Sequence, residues 1–277
     1  MGFPLITLTT DFGTRDPYVA EMKGVVLQIN PQATMVDISH QIAPQDVAQG
    51  AFVLGSAYPF FPQHTVHVAV VDPGVGTSRR AILLVTQEGL FLAPDNGLIT
   101  YAVRESAEYR AAARGTGFLE PMEVAIPGGY AAYTLSNRSL WREAVSDTFH
   151  GRDIFSPVAA HLSLGIPPEQ VGEPLDSLVC LCIPHPTREG NALLGHVIHV
   201  DGFGNLVTTV DGGGLDRETV EVVLKGHRIQ GVSRSYAQGP DLLAIVGSHG
   251  FLEIAARDGS AARELGAQEG DEVVVRW

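Results

Sequence analysis

The sequence predicts an α/β protein: an N-terminal α/β sandwich domain with a mostly parallel sheet, then a smaller C-terminal β-barrel domain. Three observations carry this. Strand-like and helix-like stretches alternate through the N-terminal part, the order expected where helices cover a sheet. Val68–Val71 is a short continuous apolar run stopped by Asp72-Pro73-Gly74, which is how a strand buried on both faces reads. After a group of prolines (Pro167, Pro168, Pro174, Pro184, Pro186) the pattern changes to short strands separated by glycine turns, the mark of a small barrel or sandwich. The expected divisions are residues 1–170 for the α/β domain, 171–190 for a Pro-rich linker and 191–277 for the barrel.

Taken in order, Leu5–Thr9 is the first strand and ends at Thr10-Asp11-Phe12-Gly13. Asp16-Pro17 suits a helix start, with Asp16 as N-cap and Pro17 in the first helical position; Val19, Met22, Val26 and Ile29 then keep one face. Thr34–Ile38 is the second strand. Pro44-Gln45-Asp46 opens a second helix with Val47, Ala51, Leu54 and Tyr58 on one side. Val66–Val71 is the third strand, and Ala81–Thr86 with Leu90–Ala93 form a hairpin ending in Pro94-Asp95-Asn96-Gly97. Glu105–Arg114 favours helix, and Gly115–Gly129 reads as a surface insertion. A further helix starts at Ser156-Pro157 and is ended by Gly165. In the barrel the expected strands are Leu194–Val200, Leu206–Val210, Val220–Leu224, Leu242–Val246, Phe251–Ala255 and Glu272–Arg276, with a helical turn over Gly259–Gly266.

Composition narrows the partners. The chain has 277 residues, 45% of them hydrophobic, enough for a well-buried core in one large or two ordinary domains. A net charge of −13 disfavours non-specific binding to nucleic acid or anionic membrane. No apolar run reaches a membrane span and the N-terminus lacks a signal-like segment, so a soluble cytoplasmic protein is expected. Cys180 and Cys182 cannot complete a four-ligand zinc site alone and read as core thiols in a reducing compartment.

Asp72 belongs at the carboxyl end of a central strand, where open α/β sheets place their ligands, and Arg79, seven residues on, can fold back to it. Similar polar clusters are Asp11, Asp95-Asn96 and His150/Arg152/Asp153, with Asp201-Gly202-Phe203-Gly204-Asn205 in the second domain. One such cluster is ordinary turn chemistry; several carboxylates at one sheet edge point to a site. No H-x-x-H or H-E-x-x-H suggests a metal, and no G-x-S-x-G elbow, P-loop or G-x-G-x-x-G after the first strand is present, which disfavours hydrolase triads, nucleoside triphosphates and dinucleotides. No metal is therefore expected. His40, His64, His67, His161 and His196 carry no motif and read as core or solvent residues.

The segments TTDFGTRDPYVAEMKG, VVDPGVGTSRRAI, PDNGLIT, TFHGRDIFSPVAAHL, DGFGNLVTT and GSHGFLEIA resemble, in order, the adenosine-forming S-adenosylmethionine (SAM) hydrolases, also called SAM hydroxide adenosyltransferases, relatives of the fluorinase and chlorinase. The resemblance covers most of the chain. It implies SAM as substrate with no cofactor, adenosine and methionine as products, and a homotrimer whose site is shared between the N-domain of one subunit and the C-domain of its neighbour. It implies that Asp72, Arg79 and His150 surround the attacking water and that Asp11 holds the ribose diol. Asp201 and Asn205 then meet the methionine and adenosine portions, Ser248 and Glu253 line the same pocket, and Tyr236 offers a ring to adenine. The sequence departs from the family pattern in the 110–130 insertion, at His249-Gly250, and at Arg257-Asp258, where Asn-Gly is expected. Two other readings stand beside it: a halogenase of the same fold, which would carry Tyr in place of Asp72, and a SAM- or adenosine-binding sensor without turnover.

Overall fold

The structure, a computed structural model, describes residues 5–216 and 218–277. The chain divides into two compact units, residues 1–182 and 183–277. Among the described residues, unit 1 runs β1 (Leu5–Thr10), α1 (Tyr18–Ile29), β2 (Thr34–Ser39), α2 (Val47–Ala57), β3 (Thr65–Val70), β4 (Ala81–Val85), β5 (Gly89–Pro94), α3 (Ala107–Ala112), β6 (Pro121–Ala125), β7 (Ala131–Thr134), α4 (Ser156–Ser163) and β8 (Ser177–Leu181).

Its main sheet has the order β2-β1-β3-β5-β4-β7. The β2, β1, β3 and β5 ladders are parallel, and β4 and β7 add antiparallel edges. All of β3 is buried: Val66, Val68 and Val70 enter the core under α1 and α4, while Ala69 and Val71 enter the one beneath α2. The apolar run thus has two hydrophobic faces, as its composition requires. Because β1, β3 and β5 run the same way, Asp11, Asp72 and Asp95 follow their strands at one edge of the sheet.

Two local expectations are corrected, and one is extended. Asp16 does not cap α1; the helix begins at Tyr18 with Pro17 in the cap position and no side-chain cap bond. Asp46, by contrast, caps α2 by accepting from the Gln49 N–H at 2.9 Å. The stretch Gly115–Gly129 is not purely a surface insertion, since it contains β6, which pairs with β8 and buries Met122 and Val124. Exposed Glu123 between them makes a two-faced strand look polar. Finally, α4 is preceded by a π-helical turn, Gly151–Phe155, closed by Ser156 Oγ donating to Gly151 O at 2.7 Å.

Unit 2 holds β9 (Thr187–Glu189), β10 (Ala192–Val200), β11 (Leu206–Asp211), β12 (Glu221–Leu224), β13 (His227–Gln230), β14 (Leu242–Val246), β15 (Phe251–Ala256), α5 (Ala261–Leu265) and β16 (Glu272–Arg276). The strands form an antiparallel sheet in the order β13-β12-β16-β10-β11-β15-β14, with β9 on β10. A bridge from Ser233 to Ile245 links the two ends into a nearly closed barrel. Val197, Leu206, Val222, Leu252, Ile254 and Val273 fill it.

Candidate functional site

At the carboxyl edge of unit 1 the turn after β3 is wound by Thr77, whose hydroxyl donates to Gly74 O and accepts from the Arg79 N–H. This brings Arg79 back onto Asp72. Arg79 Nε donates to Asp72 Oδ1 at 2.9 Å and Nη2 pairs with Oδ2. The same Nη2 lies 2.8 Å from His150 Nδ1. The Asp72 and Arg79 side chains are 5% and 11% exposed, so the pair is largely desolvated, and the guanidinium also covers the buried Phe155 ring.

A guanidinium only donates hydrogen bonds. His150 Nδ1 must therefore be the acceptor, which puts the ring in its neutral form with the proton on Nε2. Burial, reinforced by the Arg79 charge, holds the His150 pKa below the ordinary imidazole value against the opposing pull of Asp72.

The loop before His150 is fixed by Asp153, which is fully buried. Its carboxylate accepts from Arg142 Nη1 (2.7 Å), Arg152 Nε (2.7 Å) and the Ser146 N–H (2.9 Å). Burial opposes its ionisation, but these donors outweigh it and keep the carboxyl below its usual range. Arg152 also bonds Glu21 on α1 and lies over Phe149. Phe149 packs edge-on against Phe12 and Tyr18, tying the His150 loop to the one carrying Asp11. The turn after β3 presses on this loop as well: a Cβ at Gly76, whose φ is +76°, would lie 2.5 Å from Asp147 O.

Asp11 is half-buried and accepts from the Gln45 N–H at 2.8 Å. Gln45 has a positive φ of 67°, uncommon for a residue with a side chain. Asp95 belongs to the framework: it accepts from Arg80 Nε and the Val179 N–H, both at 2.7 Å. Asn96 donates to Val71 O at 2.9 Å, bracing the end of β3.

Unit 2 carries a second constellation. Asp201 Oδ1 accepts from the Phe203 and Asn205 N–H groups at 2.8 and 2.9 Å, and Oδ2 accepts from Asn205 Nδ2 at 2.8 Å. This turn needs Gly204 in the left-handed region (φ +86°), where a Cβ would strike Ser260. Glu253 is buried, and its pKa is raised by burial and then by Asp201. Burial first, then Glu253 and Asp201, raises that of Tyr236. A cavity of about 480 Å³ opens here, lined by Phe203, Asn205, Tyr236, Arg257, Asp258 and Arg263 among others. Asp201, Glu253 and Ser248 lie outside that lining, Ser248 on an exposed turn with Oγ 3.4 Å from His249 Nδ1.

The expected residues thus fall into two groups, Asp11, Asp72, Arg79 and His150 in unit 1 and Asp201, Asn205, Tyr236 and Glu253 in unit 2. Sequence reasoning missed Phe203, Arg263 and the Gln45 N–H. An apolar ring between two glycines was the available signal for Phe203; the other two show none in the sequence. Among the described residues no group of three or more His, Cys, Asp or Glu is placed to hold a metal ion, and no helix is long and apolar enough to cross a membrane.

A polar strand-end site on an α/β unit, with a β-barrel unit that carries its own ring-lined cavity, defines a two-domain enzyme of small-molecule type. The chain belongs to the SAM hydroxide adenosyltransferase family: that family's N-terminal domain matches residues 6–172 and its C-terminal domain residues 195–274. It is 38% identical to the (R)-S-adenosyl-L-methionine hydrolase of Salinispora tropica over 98% of this chain and 97% of the relative. A fluorinase of Actinoplanes is 30% identical over 76% of this chain and 72% of its own. The crystal structure of an uncharacterized conserved protein from Thermotoga maritima superposes with a TM-score of 0.84 at 36% identity, covering 99% of this chain and 100% of that one.

Proposed function

We propose that this enzyme hydrolyses S-adenosyl-L-methionine by attack of water on the ribose 5′-carbon, giving adenosine and L-methionine. The Asp72–Arg79–His150 cluster carries the reading: an anion, a fixed cation and a neutral imidazole in contact at the carboxyl edge of the sheet. The names of the hydrolase relatives specify the (R) sulfonium epimer, and that epimer is the proposed substrate.

The sulfonium leaves as a neutral thioether, so the leaving group needs no protonation. The reaction asks instead for an aligned water and an acceptor for its proton. As water oxygen bonds to the 5′-carbon, the carbon–sulfur bond breaks and its electron pair passes to sulfur. His150 Nδ1 is taken by Arg79 and Nε2 carries hydrogen, so His150 acts as a donor that orients the water. The proton then goes to Asp72, whose carboxylate keeps free lone pairs beside Arg79, and from there to solvent. A halide is disfavoured at the same place: at about 4 Å and an effective dielectric near 20, an anion beside ionised Asp72 is repelled by about 4 kcal/mol, partly offset by Arg79.

In unit 1, Asp11 suits the ribose diol, since a carboxylate accepts from both hydroxyls. In unit 2, Asp201 and Asn205 serve the methionine and adenosine portions, with Phe203 and Tyr236 as stacking rings and Arg257-Asp258 at the adenine edge. Glu253, buried and held above its usual range by burial and then by the Asp201 charge, faces the same constellation. We place the two half-sites together in a homotrimer, each complete site taking one half from each of two neighbouring protomers. A reducing cytoplasmic compartment suits the free, buried Cys180 and Cys182.

The test is to incubate the purified protein with each sulfonium epimer and separate the products by chromatography. Equimolar adenosine and methionine from the (R) epimer is expected; no adenosine from either epimer would sink the proposal.

A further inference from the structure

His40 carries no motif, yet the structure sets it against the loop that bears Asp11. Thr10, the last residue of β1, is fully buried, and its Oγ1 lies 2.8 Å from His40 Nδ1. The same Oγ1 accepts from the Phe12 N–H at 3.2 Å. The Gly13 N–H donates to the His40 backbone carbonyl at 2.7 Å. The residues before and after Asp11, and the one beyond, are therefore all tied to His40.

On its other side His40 Nε2 approaches Asp37 Oδ1 at 3.1 Å, and Asp37 Oδ2 accepts from Lys23 Nζ of α1 at 2.6 Å. A carboxylate held by a lysine only accepts, so the ring hydrogen belongs on Nε2 and Nδ1 is left as the acceptor for the Thr10 hydroxyl. The hydrogen bonds then have one direction, Phe12 N–H to Thr10 Oγ and Thr10 O–H to His40 Nδ1, while Nε2 faces Asp37 as a charge contact without hydrogen-bond geometry. A register irregularity permits it. Leu8 pairs with Asp37 but Thr9 with Ser39, so Ile38 is an extra residue on β2 at the end of the ladder. Bulges of this kind re-aim side chains beside functional sites, and here His40 is carried over the end of β1.

We propose that His40, acting through Thr10, is a positioning residue that holds the Asp11 carboxylate in the orientation that binds the ribose diol. The side-chain contacts of the pair run to Phe12 and Asp37 and not to Asp72, Arg79 or His150, so it governs affinity and not the chemical step. The proposal rests on the reading of Asp11 given above.

Thr10→Val keeps the shape of the buried side chain and removes only the hydroxyl. In the full-length protein it should weaken adenosine binding, measured by calorimetry, and raise KM by about tenfold, the worth of one net hydrogen bond. The same variant should leave kcat within about twofold, because no group of the chemical step is touched. Thr10→Ser should restore affinity, since its hydroxyl makes the same bonds. His40→Asn, whose amide oxygen takes the place of Nδ1, should bind better than His40→Ala; this second pair decides the matter if Thr10→Val does not fold. Asp11→Ala is run alongside. If it leaves adenosine binding unchanged, the assignment of Asp11 fails. If it weakens binding while Thr10→Val and His40→Ala do not, or if their kcat falls as much as their affinity, the positioning role of His40 is overturned.

Discussion

The two constellations are built in opposite ways. At the carboxyl edge of unit 1 the charged groups are buried and braced: Asp72 and Arg79 are almost covered, and Asp153 holds the His150 loop from within the core. Around the cavity of unit 2 the rings are uncovered, with Phe203 81% exposed and Tyr236 46% exposed, and the turn that carries Phe203 is held by one internal carboxylate, Asp201. Proton acceptance and water orientation need charges whose positions do not change during reaction, and burial with several donors supplies that. Stacking on a flat nucleobase needs apolar surface that the ligand itself covers. Substitutions at the first should therefore cost rate and stability, and at the second affinity.

The largest effect is expected at Asp72. Asp72→Asn keeps the shape and a hydrogen-bonding group for Arg79 but removes the proton acceptor. Steady-state kinetics should show kcat lower by about 10²–10⁴-fold, the scale of general-base catalysis, with substrate binding near native. Near-native kcat would move the acceptor role elsewhere.

Next is Asp153→Asn, which leaves Arg142 and Arg152 beside a neutral amide. Both arginine side chains are partly exposed, at 40% and 26%, and can turn to water. The expected loss in thermal or denaturant unfolding is therefore about 3 kcal/mol, the low end for breaking a buried pair. The native carboxyl titrates below its usual range. Its stabilisation is fully present above that usual range and is lost as pH falls below it, through the lowered native value, so Asp153→Asn should also flatten the acid limb of stability. An unchanged pH profile would remove Asp153 from this role.

Smallest is Tyr236→Ala. Loss of one stacking ring should weaken adenosine binding by about 1 kcal/mol, roughly fivefold in Kd, with kcat little changed. A large drop in kcat would show that the ring serves the chemical step.

Much of this was legible in the sequence, because strand ends carry their own punctuation. Val68–Val71 followed by Asp-Pro-Gly located the edge, and six of the barrel strands showed as apolar runs between glycines. Strands β6 to β9 and β13 were not legible: Glu123 interrupts Met122 and Val124, β8 and β9 lie among the prolines, and His227–Gln230 offers one buried residue, Ile229, among exposed polar ones. Asp95 and Asp153 resembled site carboxylates by position. Their distant donors, Val179 N–H for the first and Arg142 for the second, show them as braces. The His40–Thr10 contact depends on a register slip between β1 and β2, which no local pattern announces.

Water is the proposed nucleophile at the 5′-carbon, beside Asp72, Arg79 and His150. Turnover in ¹⁸O-labelled water with high chloride present tests this directly by mass spectrometry of the nucleoside product. The heavy isotope should appear in the 5′-hydroxyl of adenosine, with no 5′-chloro-5′-deoxyadenosine. Unlabelled adenosine, or a predominantly chlorinated product, would contradict it.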